Sequence, residues 1–251
     1  MRPRIGAAIA ASVLRPLAEQ LVAELDLTRS SVACDLMCDS GVLTRALAHT
    51  IGPFGRVIAV DTDLDLATEA AEGLLGFTIV VPRMGDGATV PLDDDSCDAV
   101  ASLTTIAFAD QRFLVADIPR VLRRDGRGAV LVWDESEPPA FASLLRDALT
   151  EAGLTSAFLD RMLAPVGVPR GAHVRGIRDV CRADTASLLW AAMLDSPLAV
   201  ELAAVPDATV AVVRSRYEAL LAPFAEADGT LRIPLHARLI TLAAAAPRPG
   251  Y

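Results

Sequence analysis

The segment from Ser31 to Gly41 carries the residues with the clearest chemical meaning in this chain. It begins with a short apolar run typical of a buried strand, and apolar residues recur with helical spacing after Gly41. A tight turn between a strand and a helix presents backbone N–H groups to a ligand. A second apolar strand, residues 56–61, ends in Asp61. An acid about 20 residues beyond such a turn can accept hydrogen bonds from both hydroxyls of a ribose. The pattern therefore predicts a nucleoside-binding half-domain.

A second group of candidate residues has the chemistry of proton transfer. Asp134 opens an acidic run at the end of a predicted strand, and the histidines available as proton acceptors include His173 and His236. A carboxylate whose pKa is raised by burial is a good general base. The alternative for Asp134 is a solvated loop whose acids lie at the start of the following helix. The alternative for the two histidines is an ordinary strand or surface position without a catalytic role.

Alternating apolar strands and helices must position these residues. Strands are predicted near residues 31–36, 56–61, 78–82, 98–104 and 127–134, and helices at 5–26 and 141–152. This alternation predicts an α/β fold, with a parallel sheet covered by helices on both faces. Ligands of such sheets bind at the carboxyl ends of the strands, where both groups of candidates lie.

Four segments are predicted along the chain. Residues 1–28 form a helical segment covering the pocket, 29–183 the core, 184–226 a helical cap, and 227–251 the last strand and tail. The cap carries apolar residues numerous enough to cover a hydrophobic cavity, namely Leu188, Leu189, Trp190, Met193 and Leu194. A small, largely apolar organic substrate fits such a cavity. The alternative is that these side chains only pack the cap against the sheet.

Composition limits the classes of partner. The chain has 251 residues, 53% of them hydrophobic, and a mean hydropathy of +0.41, which suits a large core. Its net charge of −9 argues against nucleic acid as substrate. Its four cysteines lack zinc-site spacing and indicate a reducing, cytoplasmic location. No apolar run is long enough to span a membrane. The expected partners are a small-molecule substrate and, as one option, a second copy of the chain, without metal, membrane or nucleic acid.

Residues 30–135 resemble the class I S-adenosylmethionine-dependent methyltransferases of the small-molecule type. Asp35 and Gly41 match the acid and the last glycine of the family's first motif, Asp-x-Gly-x-Gly-x-Gly, whereas Met37 and Asp39 replace its other glycines. Residues 85–92 resemble the segment whose acid, here Asp86, reaches the adenine amino group. The helix, glycine turn and strand at 121–133 and the last strand at 232–240 are also similar.

The resemblance implies a Rossmann-like, seven-stranded, mostly parallel sheet with a helical cap, and S-adenosylmethionine as cofactor. The implied cofactor-binding residues are Asp35, Met37, Asp39, Gly41, Asp61, Thr62, Asp86, Gly87 and Thr104.

Three functions remain open from the sequence. The first is methyl transfer to a small apolar metabolite of natural-product biosynthesis, which the retained Asp61 and Asp86 favour. The second is a cyclase or isomerase that keeps the fold without transferring methyl, which Met37 and Asp39 favour because they alter the cofactor turn. The third is a non-catalytic ligand-binding homologue.

Overall fold

A computed structural model describes residues 13–245, apart from residues 73, 75–78, 105, 106, 108 and 110. The first predicted helix, residues 5–26, is therefore described only in part, because residues 5–12 lie outside the described residues. Its described portion contains α1, Arg15–Val22, which buries Leu17, Ala18 and Leu21 on one face. Apolar residues spaced three and four apart produce that buried face.

Seven strands form one sheet in the order β3-β2-β1-β4-β5-β7-β6. Their bounds are β1 Val32–Leu36, β2 Arg56–Asp61, β3 Val80–Met84, β4 Cys97–Leu103, β5 Leu122–Trp133, β6 His173–Ala183 and β7 Leu231–Ala243. β1 pairs in parallel with β2 and β4, β2 with β3, and β4 with β5. The predicted α/β fold with a mostly parallel sheet is confirmed.

The helices alternate with these strands. After α1 they are α2 Val42–Ile51, α3 Leu64–Glu72, α4 Gln111–Val121, α5 Ala140–Glu151, α6 Ala157–Met162, α7 Ala186–Leu194, α8 Leu198–Leu202 and α9 Asp207–Leu221. Short 3-10 helices occupy Gly52–Phe54 and Ala222–Phe224.

The fifth strand begins earlier than its predicted start at residue 127. α4 ends at Val121, and β5 starts at the next residue, with Leu122 opposite Cys97 on β4. The register then shifts so that Ala99 lies opposite Arg127, and the extra residues form a bulge that the sequence pattern does not reveal.

The chain divides into two compact units. The first, which we call the sheet unit, comprises Leu17–Val132, Val166–Arg175 and the described part of Arg238–Tyr251. The second, the helical unit, comprises Trp133–Pro165, Gly176–Ala237 and the described part of Met1–Pro16. The four predicted segments, with the covering roles assigned to 1–28 and 184–226, stay predictions.

The sheet unit has a core between its strands and helices. Buried residues of β1, β2, β4 and β5 pack with Leu114, Ile118 and Val121 of α4. Parallel strands covered by helices are buried on both faces, which explains why β1, β2 and β4 read as nearly continuous apolar runs.

The helical unit is organised around Tyr217 of α9. Its side chain is fully buried, its hydroxyl donates to the Phe141 carbonyl at 2.7 Å, and its ring lies 6.2 Å from that of Trp190. Leu189, Trp190 and Met193 are buried, whereas Leu188 is exposed. Three of the five apolar residues predicted to cover a cavity are therefore buried side chains.

Within the described part of the chain, no helix combines the length and apolar character that crossing a membrane requires.

Candidate functional site

The turn after β1 keeps the backbone of a glycine-rich turn without two of its glycines. Met37, Asp39 and Gly41 have φ angles of 62°, 44° and 74°, all in the left-handed region. The Cys38 N–H donates to the Val60 carbonyl at 2.9 Å, and the Gly41 N–H donates to the Cys38 carbonyl at 2.9 Å. The first bond ties the turn to β2, and the second closes the turn just before α2. Asp tolerates left-handed geometry better than most residues, so the φ of Asp39 carries little strain for its residue type.

Met37 is held in a conformation that is costly for its residue type. Placing a residue other than Gly, Asn or Asp in the left-handed backbone region costs about 1–2 kcal/mol. Its side chain is only 5% exposed and belongs to the apolar core of the sheet unit. Burying a Met side chain contributes about 1.5–3 kcal/mol, which offsets the backbone cost.

Gly41 allows two helices to approach closely. A Cβ at this position would lie 2.8 Å from the Ala70 Cβ and 2.9 Å from the Ala70 Cα, both on α3. Gly41 precedes α2, so its missing side chain lets the start of α2 lie against α3. This is the packing role of the last glycine in nucleotide-binding turns.

Asp35 is a buried acid directly before the turn. It is 1% exposed, and its Oδ2 accepts a hydrogen bond from the Thr44 hydroxyl at 2.5 Å. Burial raises the pKa of Asp35 to about 7, against the opposing effect of the Thr44 hydrogen bond, and the charges of Asp61 and Asp39 add to the rise. The shared bond with Thr44 ties β1 to α2 beneath the turn.

Asp61 ends β2 beside the turn. It is 4% exposed, its Oδ2 accepts from the Asp39 N–H at 3.0 Å, and its Oδ1 accepts from the Asp63 N–H at 3.1 Å. Each carboxylate oxygen has a further lone pair for another donor. The carboxylate is therefore oriented by two backbone groups and still has acceptor capacity for ribose hydroxyls.

Asp86 follows β3 in a short turn of its own. Its Oδ1 accepts from the backbone N–H groups of Ala88 and Thr89, both at 2.8 Å. These two bonds, with that from Thr89 the stronger influence, hold the pKa of Asp86 below its usual value. The side chain is exposed. Gly87 has a φ of 74°, and a Cβ there would lie 3.0 Å from Cγ2 of Thr62.

Thr104 directly follows β4 and has a strained conformation. It is 4% exposed with a φ of 54°, and its N–H donates to the Leu131 carbonyl at 2.7 Å. Strain of this kind collects at functional positions. Of the residues that follow Thr104, Ala107 is described, whereas residues 105, 106 and 108 lie outside the described residues.

The helical unit brings together three polar residues that follow β5 or lie on β7. The Asp134 N–H donates to the His236 carbonyl at 3.2 Å, and His236 Nδ1 lies 2.9 Å from Glu137 Oε2. Asp134 Oδ1 accepts from the Ser136 N–H at 2.9 Å and its hydroxyl at 2.7 Å. His173 belongs to the sheet unit, where it is exposed at the start of β6.

The pairing of Glu137 with His236 is a feature that sequence reasoning missed. A histidine that gives its Nδ1–H to a carboxylate keeps a lone pair on Nε2, which can accept a proton. The two residues lie far apart in the chain and are joined only because β7 runs beside β5. No local signal in the sequence reveals this contact.

Residues 34–130 match a family model described as "Methyltransferase domain". This segment contains the turn, Asp61, Asp86 and Thr104. We call this segment, residues 34–130, the methyltransferase domain. S-adenosylmethionine is the cofactor of the class I methyltransferases that its motifs resemble.

Relatives of this methyltransferase domain include enzymes named for quinone and natural-product substrates. The chain is 35% identical over 121 residues to demethylmenaquinone methyltransferase of Lactobacillus johnsonii, covering 46% of this chain and 48% of that protein. It is 35% identical over 118 residues to nocamycin O-methyltransferase of Saccharothrix syringae, covering 45% of this chain and 41% of that protein. The chain thus spans about half the length of the curated relatives it matches, or less.

A likeness in fold extends beyond the methyltransferase domain. The structure of the YcgJ protein from Bacillus subtilis superposes with a TM-score of 0.57 at 16% identity, covering 92% of this chain and all of that protein. At that identity the likeness shows the fold alone.

The methyltransferase domain fits its cofactor in backbone geometry. The left-handed positions of the first motif are kept at Met37, Asp39 and Gly41. The Met37 side chain lies in the apolar core, and the acids expected to hold the ribose and adenine follow β2 and β3. The difference from the family motif that changes the charge of the site is the carboxylate of Asp39, which stands where the motif has glycine.

Proposed function

We propose that this protein transfers a methyl group from S-adenosylmethionine to a small, largely apolar organic molecule, in the biosynthesis of a natural product. The observation that carries the proposal is the turn at residues 37–41, which keeps three left-handed positions inside a methyltransferase domain although two of them lack glycine. A left-handed backbone conformation at residues that are not glycine is energetically costly, and a ligand that binds to that backbone conformation explains why it is kept.

The cofactor-binding roles follow from the geometry of the sheet unit. Asp61 is proposed to accept the ribose hydroxyls, and Asp86 the adenine amino group, because both lie at the carboxyl ends of parallel strands. The remaining proposed contacts are those of Asp35, Met37, Asp39, Gly41, Thr62, Gly87 and Thr104. When bound, S-adenosylmethionine supplies an electrophilic methyl group to a nucleophile of the substrate.

The proposed proton acceptor is Nε2 of His236. Glu137 Oε2 lies 2.9 Å from Nδ1 and orients the ring, so Nε2 is the nitrogen proposed to take the proton. The Asp134 N–H binds the His236 carbonyl and keeps β7 against the end of β5. Asp134 and His173 are the alternative acceptors.

Replacing the two histidines separates these assignments. A positioned base contributes about 10²–10⁴-fold to rate, so His236→Gln should lower kcat by that order, and Glu137→Gln should lower it less. The matched control is His173→Gln, which replaces an exposed histidine and should leave kcat unchanged. Loss of activity in the control with retention in His236→Gln would assign the role to His173 instead.

Trp133 supports a substrate that carries an acceptor oxygen. Its indole Nε1 is buried and has no hydrogen-bond partner among the described residues. A buried donor without an acceptor costs about 1–3 kcal/mol, which a ligand oxygen would recover. Trp133→Phe should therefore raise KM more than it lowers kcat.

Methyl transfer is tested by incubating the protein with S-adenosylmethionine labelled in its methyl group. The acceptors are a demethylmenaquinone-type naphthoquinol, chosen from the relatives' names, and a panel of hydroxyl-bearing apolar compounds. Label in an acceptor supports the proposal. A substrate converted without label supports the second candidate, a cyclase or isomerase, which the carboxylate of Asp39 in a glycine position favours.

A cytoplasmic location and a homodimer are further proposals. All four cysteines are free and buried, as expected for a reducing compartment. Sedimentation of the purified protein measures the oligomeric state.

A further inference from the structure

The first motif of this chain carries one more acid than the family motif that it resembles. Asp39 stands in a glycine position of the motif, and its N–H donates to Asp61 Oδ2 at 3.0 Å. The Asp61 carboxylate therefore lies against the turn that carries Asp39. One oxygen of Asp39, Oδ2, is buried.

The charges of these acids reach their neighbours. Both Asp61 and Asp39 contribute to raising the pKa of Asp35, after the larger effect of burial. The same two charges act in the same direction on the pKa of the Cys38 thiol, which burial raises most. Partial burial weakens solvent screening, so a charge at this turn interacts electrostatically with a ligand bound there.

The cofactor and its spent form differ in charge at one atom. S-adenosylmethionine has a positive sulfonium, whereas S-adenosylhomocysteine has a neutral thioether, and their adenosine and amino acid ends are identical. We propose that Asp39 is a specificity-determining residue that favours the cationic sulfonium nucleoside over its neutral thioether product. This inference rests on the proposed function, and the site itself rests on the methyltransferase domain and not on the acids.

The ratio of the two dissociation constants isolates this effect. The Asp39 carboxylate attracts the ammonium and repels the carboxylate of the amino acid end, but these terms are common to both ligands and cancel in the ratio. What remains is its attraction for the sulfonium. A carboxylate acting on one charge near a protein surface is expected to change the ratio by about tenfold, or about 1.4 kcal/mol. The consequence is easier release of the product and weaker product inhibition.

The experiment is calorimetric titration of both nucleosides into the full chain and into Asp39→Asn. Asn keeps the size of the side chain and tolerates a left-handed φ, so the backbone of the turn is preserved. The expected result is that the preference for S-adenosylmethionine over S-adenosylhomocysteine, taken as the ratio of their dissociation constants, falls about tenfold, whatever change the two ligands share. Equal changes for both ligands would overturn the inference.

A matched control removes the same charge elsewhere. Asp95 is exposed with a φ of 52° and precedes β4, at the amino end of that strand. Asp95→Asn makes the same chemical change at a left-handed position and should leave both dissociation constants unchanged. A shift of the ratio as large as that in Asp39→Asn would mean that net charge, not position, sets the preference, and would contradict the inference.

A second variant tests the same idea if Asp39→Asn fails to fold. Asp39→Gly removes the same charge and supplies the residue that the family motif has at this position, and glycine adopts a left-handed φ without strain. An unchanged ratio of the two dissociation constants in Asp39→Gly overturns the inference. Absence of binding of either nucleoside to the unmodified protein contradicts the proposed function itself, which is a distinct result.

Discussion

Replacing Gly41 with Ala should destabilise the sheet unit through two separate effects. Gly41 has a φ of 74°, so any side chain there is strained. The added Cβ would also meet Ala70 Cβ at 2.8 Å and Ala70 Cα at 2.9 Å. The second contact is with backbone, so it cannot be relieved by a side-chain rotation.

The expected magnitude is the sum of the two effects. Left-handed strain costs about 1–2 kcal/mol. Overpacking by one methyl group against a fixed neighbour costs about 1–3 kcal/mol. The free energy of unfolding should therefore fall by about 2–5 kcal/mol, which leaves a typical domain still folded.

Gly153→Ala is a close control because Gly153 has the same φ of 74° and nothing within 4 Å of its hypothetical Cβ. The free energy of unfolding of Gly153→Ala should fall only by the cost of left-handed strain, about 1–2 kcal/mol. Urea denaturation of both variants measures the two free energies, and their difference of about 1–3 kcal/mol is the packing cost at Ala70. Equal losses in the two variants would refute the claim that Gly41 is required for close packing of α2 on α3.

Two further predictions concern buried polar groups. Asp35 has a pKa of about 7 in the folded protein, above its unfolded value of about 3.9, so the stability it contributes is present below pH 4 and is lost as pH rises to 7, by about 4 kcal/mol. Asp35→Asn should remove that loss of stability. The measurement is the free energy of unfolding of variant and wild type from pH 4 to 8, and the same pH dependence in both would contradict the prediction. Tyr217→Phe leaves the Phe141 carbonyl without its 2.7 Å hydrogen bond in the core of the helical unit. It should lower the free energy of unfolding by about 1–2 kcal/mol, and an unchanged denaturation midpoint would show that the bond is replaced.

The sheet could be predicted from the sequence because its strands are buried on both faces. Runs such as residues 32–36, 56–61 and 97–103 are apolar enough to be recognised without any partner. The helical segments between Thr185 and Phe224 were equally clear from their apolar spacing. The start of β5 was not, because it depends on a bulge opposite Cys97 that only strand pairing defines.

The candidate site also has some features that the sequence predicts and others that only the structure reveals. Asp61 and Asp86 follow strands and could be placed at the carboxyl end of the sheet from sequence alone. The conformation of Met37 could not be predicted, since its residue type disfavours the left-handed region and only burial in the core compensates. The pairing of His236 with Glu137 is a long-range contact and has no sequence signal.

The central claim is that the turn after β1 still accepts a sulfonium nucleoside with Met37 and Asp39 in its glycine positions. Calorimetric titration of S-adenosylmethionine into the purified full chain tests it most directly. The account predicts saturable binding at one site per chain. No heat of binding at millimolar S-adenosylmethionine, from protein shown to be folded, would contradict it.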